Sequence, residues 1–316
     1  MSASPHHHQH EHEHEHHHTH GKNAGRMLWL AVGLTLAFAG VEAVVGWWAG
    51  SLALVADAGH MVNDAGALLI AAAAAWVSKR PASHLHSYGL GRAEFVAALV
   101  NSLGLLALVA WLSVSAVQRL QAPQAVQGEA VSLTAALGLL INIGVAWLLM
   151  RGEQNLNTRA ALLHVMGDLL GSVAALIAGV VITFTGWTPI DPLLSLVIGA
   201  LILVSSLRLL RQALHGIMEG VPLHLSMEEI GKALASVPGV ESVHDLHVWS
   251  VSSEEIMLSA HLAITDLTRW PSILEKSQIL LNERFAIKHV TLQPESVVQL
   301  VHWSSPRHGA RKDMAD

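Results

Sequence analysis

The 316-residue chain contains no cysteine, and only 13% of its residues are charged, against about 25% in an average soluble domain. Without thiols there are no disulfides and no thiolate metal sites, so any metal must be held by nitrogen and oxygen. No basic tract is large enough to neutralise a run of phosphates, which removes nucleic acid as a partner. Outside the low-complexity His/Glu alternation between His10 and His18, the His-Glu-x-x-His pattern of zinc hydrolases is also missing. What the chain does have is 52% hydrophobic residues and 22 histidines. The apolar excess is concentrated in residues 27–214, with polar or mixed flanks, which points to a membrane domain.

A helix that crosses a bilayer needs about 20 predominantly apolar residues, with every backbone group bonded inside the helix. Six stretches qualify: 27–49, 52–77, 93–117, 131–150, 157–184 and 192–214. They are separated by turn or charge signals such as Gly50-Ser51, Ser78 to Gly91 and Gly186 to Pro189. The first apolar run spans and its leader is hydrophilic, so no cleavable signal peptide is expected. With the N-terminus inside, Lys22, Arg26, Lys79, Arg80, Arg92, Arg151, Arg159, Arg208 and Arg211 all lie on one side, and Arg119 alone lies on the other. The positive-inside rule then puts both termini in the cytoplasm.

After Arg211 the pattern becomes that of a small soluble module. Ser226 caps a helix over 227–236, and Pro238-Gly239 ends it. Strands are expected over 242–251, 256–264 and 288–293, with a helix over 271–285 before the last. The expected fold class is therefore an α-helical membrane protein: six transmembrane helices, then a small α+β (αββαβ, metallochaperone-like) domain. The expected organisation is a disordered His-rich tail (1–25), the membrane domain (26–214), the cytoplasmic domain (215–300) and a C-terminal tail (301–316).

Ionisable residues inside membrane helices are costly and mark function by default. Helix two reads Asp57-Ala-Gly-His60-Met-Val-Asn-Asp64 and helix five reads His164-Val-Met-Gly-Asp168. Each holds a His and an Asp four residues apart, on one helical face. At about 1.5 Å per residue, His60 and Asp64 lie roughly 12 and 18 Å from the outer surface, and Asp168 and His164 roughly 13 and 19 Å. The two pairs can meet. Two imidazoles and two carboxylates suit a tetrahedral dication of the zinc type, and its charge is balanced. An empty site would strand two negative charges in a low-dielectric slab, so protons replace the metal and compete with it. A site of this kind that faces each side in turn is an antiporter.

These motifs resemble those of the cation diffusion facilitator family, proton-coupled exporters of zinc, cobalt, cadmium, nickel, iron and manganese. The stretch from Ser51 to Asp64 matches the family's second-helix motif, and His164 to Asp168 its fifth. His86 to Glu94 matches the segment leading into helix three, and His244 to Trp249 the first strand of the cytoplasmic domain. The resemblance runs from about Arg26 to Glu295. It implies a homodimer that works by alternating access, with His60, Asp64, His164 and Asp168 as the transported-ion site and no resident cofactor beyond metal. The His/Asp pairs favour zinc, with cobalt, nickel and cadmium as neighbours. The implied location is a bacterial inner (cytoplasmic) membrane.

By the same resemblance, His244, His261 and Glu295 occupy positions of regulatory metal ligands in the cytoplasmic domain, with His247 and His289 as further candidates. His84 and His86 mark a weaker loop site. Arg92 and Glu219 match a charged interlock near the domain junction. Asp57 either orients His60 and relays protons or helps to cap helix two. Glu42, Asn101 and Asn142 either line the pathway or hydrogen-bond between helices. The run from His6 to His20 alternates His with Glu, Gln and Thr, a composition that cannot bury a core but can gather ions. Interleaved Glu separates it from a purification tag. The competing functions are a membrane-bound metal sensor, which leaves the mid-membrane quartet unexplained, and an intramembrane metallohydrolase, which lacks its motif within the spans and an open ligand position.

Overall fold

In the computed structural model the described residues are 20–151, 156–253 and 255–296. The side chains of 20–32, 148–149, 151, 156–161 and 163–164 lie outside that description, as do the His-rich segment before His20 and the C-terminal tail. The chain forms two compact units, one of residues up to 74 with 97–212, the other of 75–96 with the residues from 213 onward.

The first unit is helical. Its helices are α1 (His20–Ala49), α2 (Leu52–Ser78), α3 (Ala93–Gln121), α4 (Gly128–Arg151), α5 (Leu156–Thr185) and α6 (Ile190–Ile217), of which residues 75–78, 93–96 and 213–217 count with the second unit. Among the described residues, the last five are long and apolar enough to cross a membrane, and α1 adds a shorter apolar stretch, Gly33–Ala49. Large apolar side chains such as Trp47, Leu133 and Phe184 point outward, a surface that suits lipid and not water. Inside, small residues let helices approach closely. A Cβ at Gly179 of α5 would sit 2.6 Å from the Ser132 backbone of α4, so only glycine fits there. Leu52 and Ala56 of α2 pack on Leu105, Val109 and Leu112 of α3 and on Ile198 and Ile202 of α6.

The start of α2 is fixed by groups distant in sequence. Gly50 turns the chain with φ +74° and lies against the Ala125 carbonyl, so a side chain there is excluded twice over. The first turn of α2 has amides with no partner inside the helix. Ser51 Oγ accepts from the Leu54 amide at 3.3 Å, and the fully buried Asp191 of α6 accepts from Leu52 N (2.7 Å), Ala53 N (3.3 Å) and Ser51 Oγ (2.5 Å). Arg119 at the end of α3 lies 3.8 Å from Asp191 and donates to the Gly50 carbonyl. The Gln127 amide donates to Ala49 O at 2.9 Å.

The second unit holds α7 (Met227–Ala235), β1 (Val240–Ser250), β2 (Ile256–Ile264), α8 (Trp270–Phe285) and β3 (His289–Ser296). The order is that expected from sequence. Strand β2 is central, antiparallel to β1 and parallel to β3, because α8 supplies the crossover that a parallel pair requires. Ser226 caps α7 by accepting from Glu229 N. One face of the sheet, with Leu258, Ala260, Leu262 and Ile264, packs on Ile230 and Leu234 of α7 and on Ile273 and Leu281 of α8. The opposite face carries Ser259, His261 and Ala263, since strand side chains alternate.

Candidate metal centres

Two independent contacts set the register of α2 against α5. Ala53 and Leu54 pack with Ala175. Three residues further along α2, Asp57 receives Ser172 Oγ at 3.5 Å and lies directly against Gly171. Both contacts pair residues whose numbers add to about the same total, as antiparallel helices of equal rise require. Continuing that register puts His60 level with Asp168 and Asp64 level with His164. His60 Nε2 is 3.3 Å from Asp64 Oδ2, so the two side chains already share one face. Asp168 is buried. His164 is helical at the expected height in α5, and its side chain lies outside the described residues.

Beside this level runs a chain of buried polar groups. Asn142 of α4 donates to Ser172 Oγ at 3.2 Å, and Ser172 donates to Asp57. Glu42 of α1 is fully buried against Phe38 and Gly138, and neither of its carboxylate oxygens has a hydrogen-bond partner among the described residues. It lies within electrostatic reach of Asp57 and Asp168. Carboxyl groups gathered in an apolar bundle demand counterions, either metal or proton. Asp57 does not cap α2, since Ser51 and Asp191 do so, and it stands in the buried row instead. Asn63 and Asn101 bond to each other at 2.7 Å and tie α2 to α3.

In the second unit, His244 and His261 are direct partners on β1 and β2, and Glu295 lies on β3 opposite Ala263, two residues along from His261 and so on the same face. The three lie on the sheet face turned away from α7 and α8. Glu295 bridges them, with Oε2 2.9 Å from His244 Nε2 and Oε1 2.8 Å from His261 Nδ1. Ligand atoms of all three lie within 4.8 Å of one another, close enough for one dication to draw them together. A bulge between His244 and His247 puts Asp245 at φ +50°. It turns that carboxylate to 3.1 Å from His247 and 3.7 Å from His261. His289 does not join the group. It pairs with Met257, four residues along β2 from His261, which is roughly 13 Å.

Residues 28–218 match the cation efflux transmembrane domain, and residues 222–297 match the cation efflux protein cytoplasmic domain. The chain belongs to the cation diffusion facilitator, or cation efflux, family. It is 41% identical to the zinc transporter ZitB of Escherichia coli over 276 residues, covering 86% of this chain and 88% of that one. It is 35% identical to a Bacillus subtilis protein named cadmium, cobalt and zinc/H(+)-K(+) antiporter, over 81% of this chain and 84% of the other. Among solved structures, the metal-bound C-terminal domain of the CzcD transporter from Cuprividus metallidurans aligns with 22% of this chain and 99% of its own length, at 33% identity and a TM-score of 0.21.

For this cation diffusion facilitator, the sequence-level candidates outside the two clusters divide cleanly. His84 and His86 are exposed on the loop after α2, where Ser83 and His86 exchange backbone bonds of 3.0 and 3.2 Å. No third metal-ligating residue joins them among the described residues. Arg92 and Glu219 form an ion pair at 2.5 Å. One residue pair escaped sequence reasoning: Glu94 accepts from Ser78 Oγ (3.1 Å) and from both the amide (3.0 Å) and hydroxyl (2.7 Å) of Ser253. The carboxylate thereby holds the β1–β2 turn to the ends of α2 and α3. Asp191 and Arg119 also escaped, because nothing in the local pattern links residues that far apart.

Proposed function

We propose that this protein exports divalent cations from the cytoplasm across the cell's inner membrane in exchange for protons, with zinc as the main substrate and cobalt, cadmium and nickel as neighbours. The transported-ion site is His60, Asp64, His164 and Asp168. The observation that carries this is the α2–α5 register, in which Asp57 meets Gly171 and Ser172 and the two His/Asp pairs share one level. The zinc transporter and the cadmium, cobalt and zinc antiporter among the relatives support the substrate class, and so does the preference of imidazole for such ions. Metal and protons compete for the same four groups, so a proton gradient drives the ion outward as the site alternates. With both termini in the cytoplasm, as the distribution of Lys and Arg favours, the site loads from the side of the His-rich segment.

The protein works as a homodimer. His244, His261 and Glu295 form a site that responds to cytoplasmic metal, each imidazole offering one nitrogen and the carboxylate one oxygen to the ion. Every named relative given above is a transporter, which leaves no enzymatic reading to weigh. The test is zinc uptake into proteoliposomes containing a metal-sensitive dye. Flux that follows an imposed pH gradient and is abolished in Asp64→Ala and in Asp168→Ala is the expected result. Flux indifferent to both substitutions overturns the assignment.

A further inference from the structure

The start of α2 is tightly sealed. Ser51, Ala53, Ala56, Asp191 and Ser195 have no exposed surface, and Ala49 and Leu52 have 1% each. His60 and Asp64, by contrast, retain about a fifth of their side-chain exposure, 21% and 19%. An ion held at His60 is therefore separated from the membrane face where α2 begins by a plug of packed side chains, Leu52 and Ala56 against α3 and α6. Above that apolar seam lies the polar assembly of Asp191, Arg119 and Ser51, which grips the α2 N-terminus from two other helices.

The chemistry of this grip is specific. Asp191 uses both carboxylate oxygens on α2, so a neutral amide would lose one acceptor and the charge that favours a helix N-terminus. Arg119 spans the group, touching the carboxylate and the Gly50 carbonyl at once. Three helix ends, those of α2, α3 and α6, are joined here by the buried Asp191 and the partly exposed Arg119, whose side chain keeps 23% of its surface. The way from His60 along α2 to this face runs through the apolar seam and then through this joint.

We propose that Asp191 and Arg119 are positioning residues for transport that hold the outer end of α2 against α3 and α6, and that the exit path opens when this latch is released. They bind no metal. The proposal rests on the functional reading given above, both for the ion site at His60 and for which membrane face is the outer one, and the labelling test below reads the latch without measuring flux.

Because the chain has no cysteine, a single introduced thiol reports accessibility without background. Ala56→Cys lies in the sealed seam, one helical turn before His60 and on its face. Ala146→Cys lies in a separate α4–α5 seam with Val145 and Val165, near the cytoplasmic end of α4, so its labelling is measured in inverted vesicles, where it reports general loosening. In the full-length Ala56→Cys protein in sealed cells, a membrane-impermeant maleimide labels the thiol slowly. Adding Asp191→Asn raises that rate at least about ten-fold, and adding Arg119→Gln raises it in the same direction, while neither addition changes the labelling rate of the Ala146→Cys protein. Acceleration seen in inverted vesicles but not in sealed cells retains the latch and reverses the orientation. Equal labelling of the Ala56→Cys protein with and without Arg119→Gln, or equal acceleration at both introduced thiols, overturns the proposal. Should Asp191→Asn fail to fold, Arg119→Gln alone decides, because it leaves the amide and hydroxyl bonds of Asp191 in place.

Discussion

Gly171 and Gly167 sit one helical turn apart on α5, and on this structure the same substitution has opposite consequences at the two. A Cβ at Gly171 would lie 2.8 Å from Asp57 Cγ and 3.1 Å from Oδ2, with Oδ1 closer still. Ordinary contact begins at 3.4 Å, so α5 or Asp57 must yield by about 0.6 Å or more, an overpacking cost of about 1–3 kcal/mol. Asp57 cannot swing freely, since it is 2% exposed and held by Ser172. The displacement therefore passes to α5, where Asp168 lies less than one turn away. Metal ligands tolerate only about 0.2 Å of misplacement, and ten-fold in affinity corresponds to about 1.4 kcal/mol. Gly171→Ala is expected to raise the zinc concentration for half-maximal transport by about ten-fold or more. At Gly167 nothing lies within 4 Å, and alanine is the better helix former by roughly 0.5–1 kcal/mol, so Gly167→Ala should leave transport intact and the melting temperature unchanged or raised. Proteoliposome uptake titrated with zinc, paired with thermal melting in detergent, measures both. Normal zinc dependence in a folded Gly171→Ala protein would refute the α2–α5 contact on which the site depends.

Two further expectations concern the second unit. Glu295→Gln removes the charge that bridges His244 and His261, so calorimetric titration of the full-length protein should lose one class of zinc sites while flux through the membrane site persists; retention of that class places the ion elsewhere. Ala286 closes α8 in the left-handed region at φ 56°, a conformation that costs a residue with a Cβ about 1–2 kcal/mol. Ala286→Gly should therefore stabilise the domain by about 1 kcal/mol, read as a higher melting temperature, and a lower one contradicts the cap.

The parts of this molecule that repeat along the chain were open to sequence reasoning. A spanning helix announces itself by length, and α2 to α6 begin and end within a few residues of their apolar runs. The alternation of β2 and the Ser226 cap are equally local signals, and His244 and His261 proved to be cross-strand partners. What one chain's pattern does not encode is which distant groups satisfy a helix end or a buried acid. Asp57 illustrates the difference: as a residue near the start of α2 it was a capping candidate, yet the cap comes from Asp191, about 140 residues away. Glu94 reads as an ordinary first-turn acid of α3, and only the fold brings Ser253 to it. The bulge that turns Asp245 toward His261 is likewise invisible in composition, because a non-glycine residue at positive φ is set by the strands around it.

The central claim is that one dication is held midway along α2 and α5 by four side chains. Its most direct test is anomalous diffraction or electron microscopy of the zinc-loaded, full-length protein. The account predicts density between the two helices with His60, Asp64, His164 and Asp168 about 2.0–2.2 Å from it. Density bounded by any other set of residues in the membrane unit, or imidazoles and carboxylates turned outward to lipid, would contradict it.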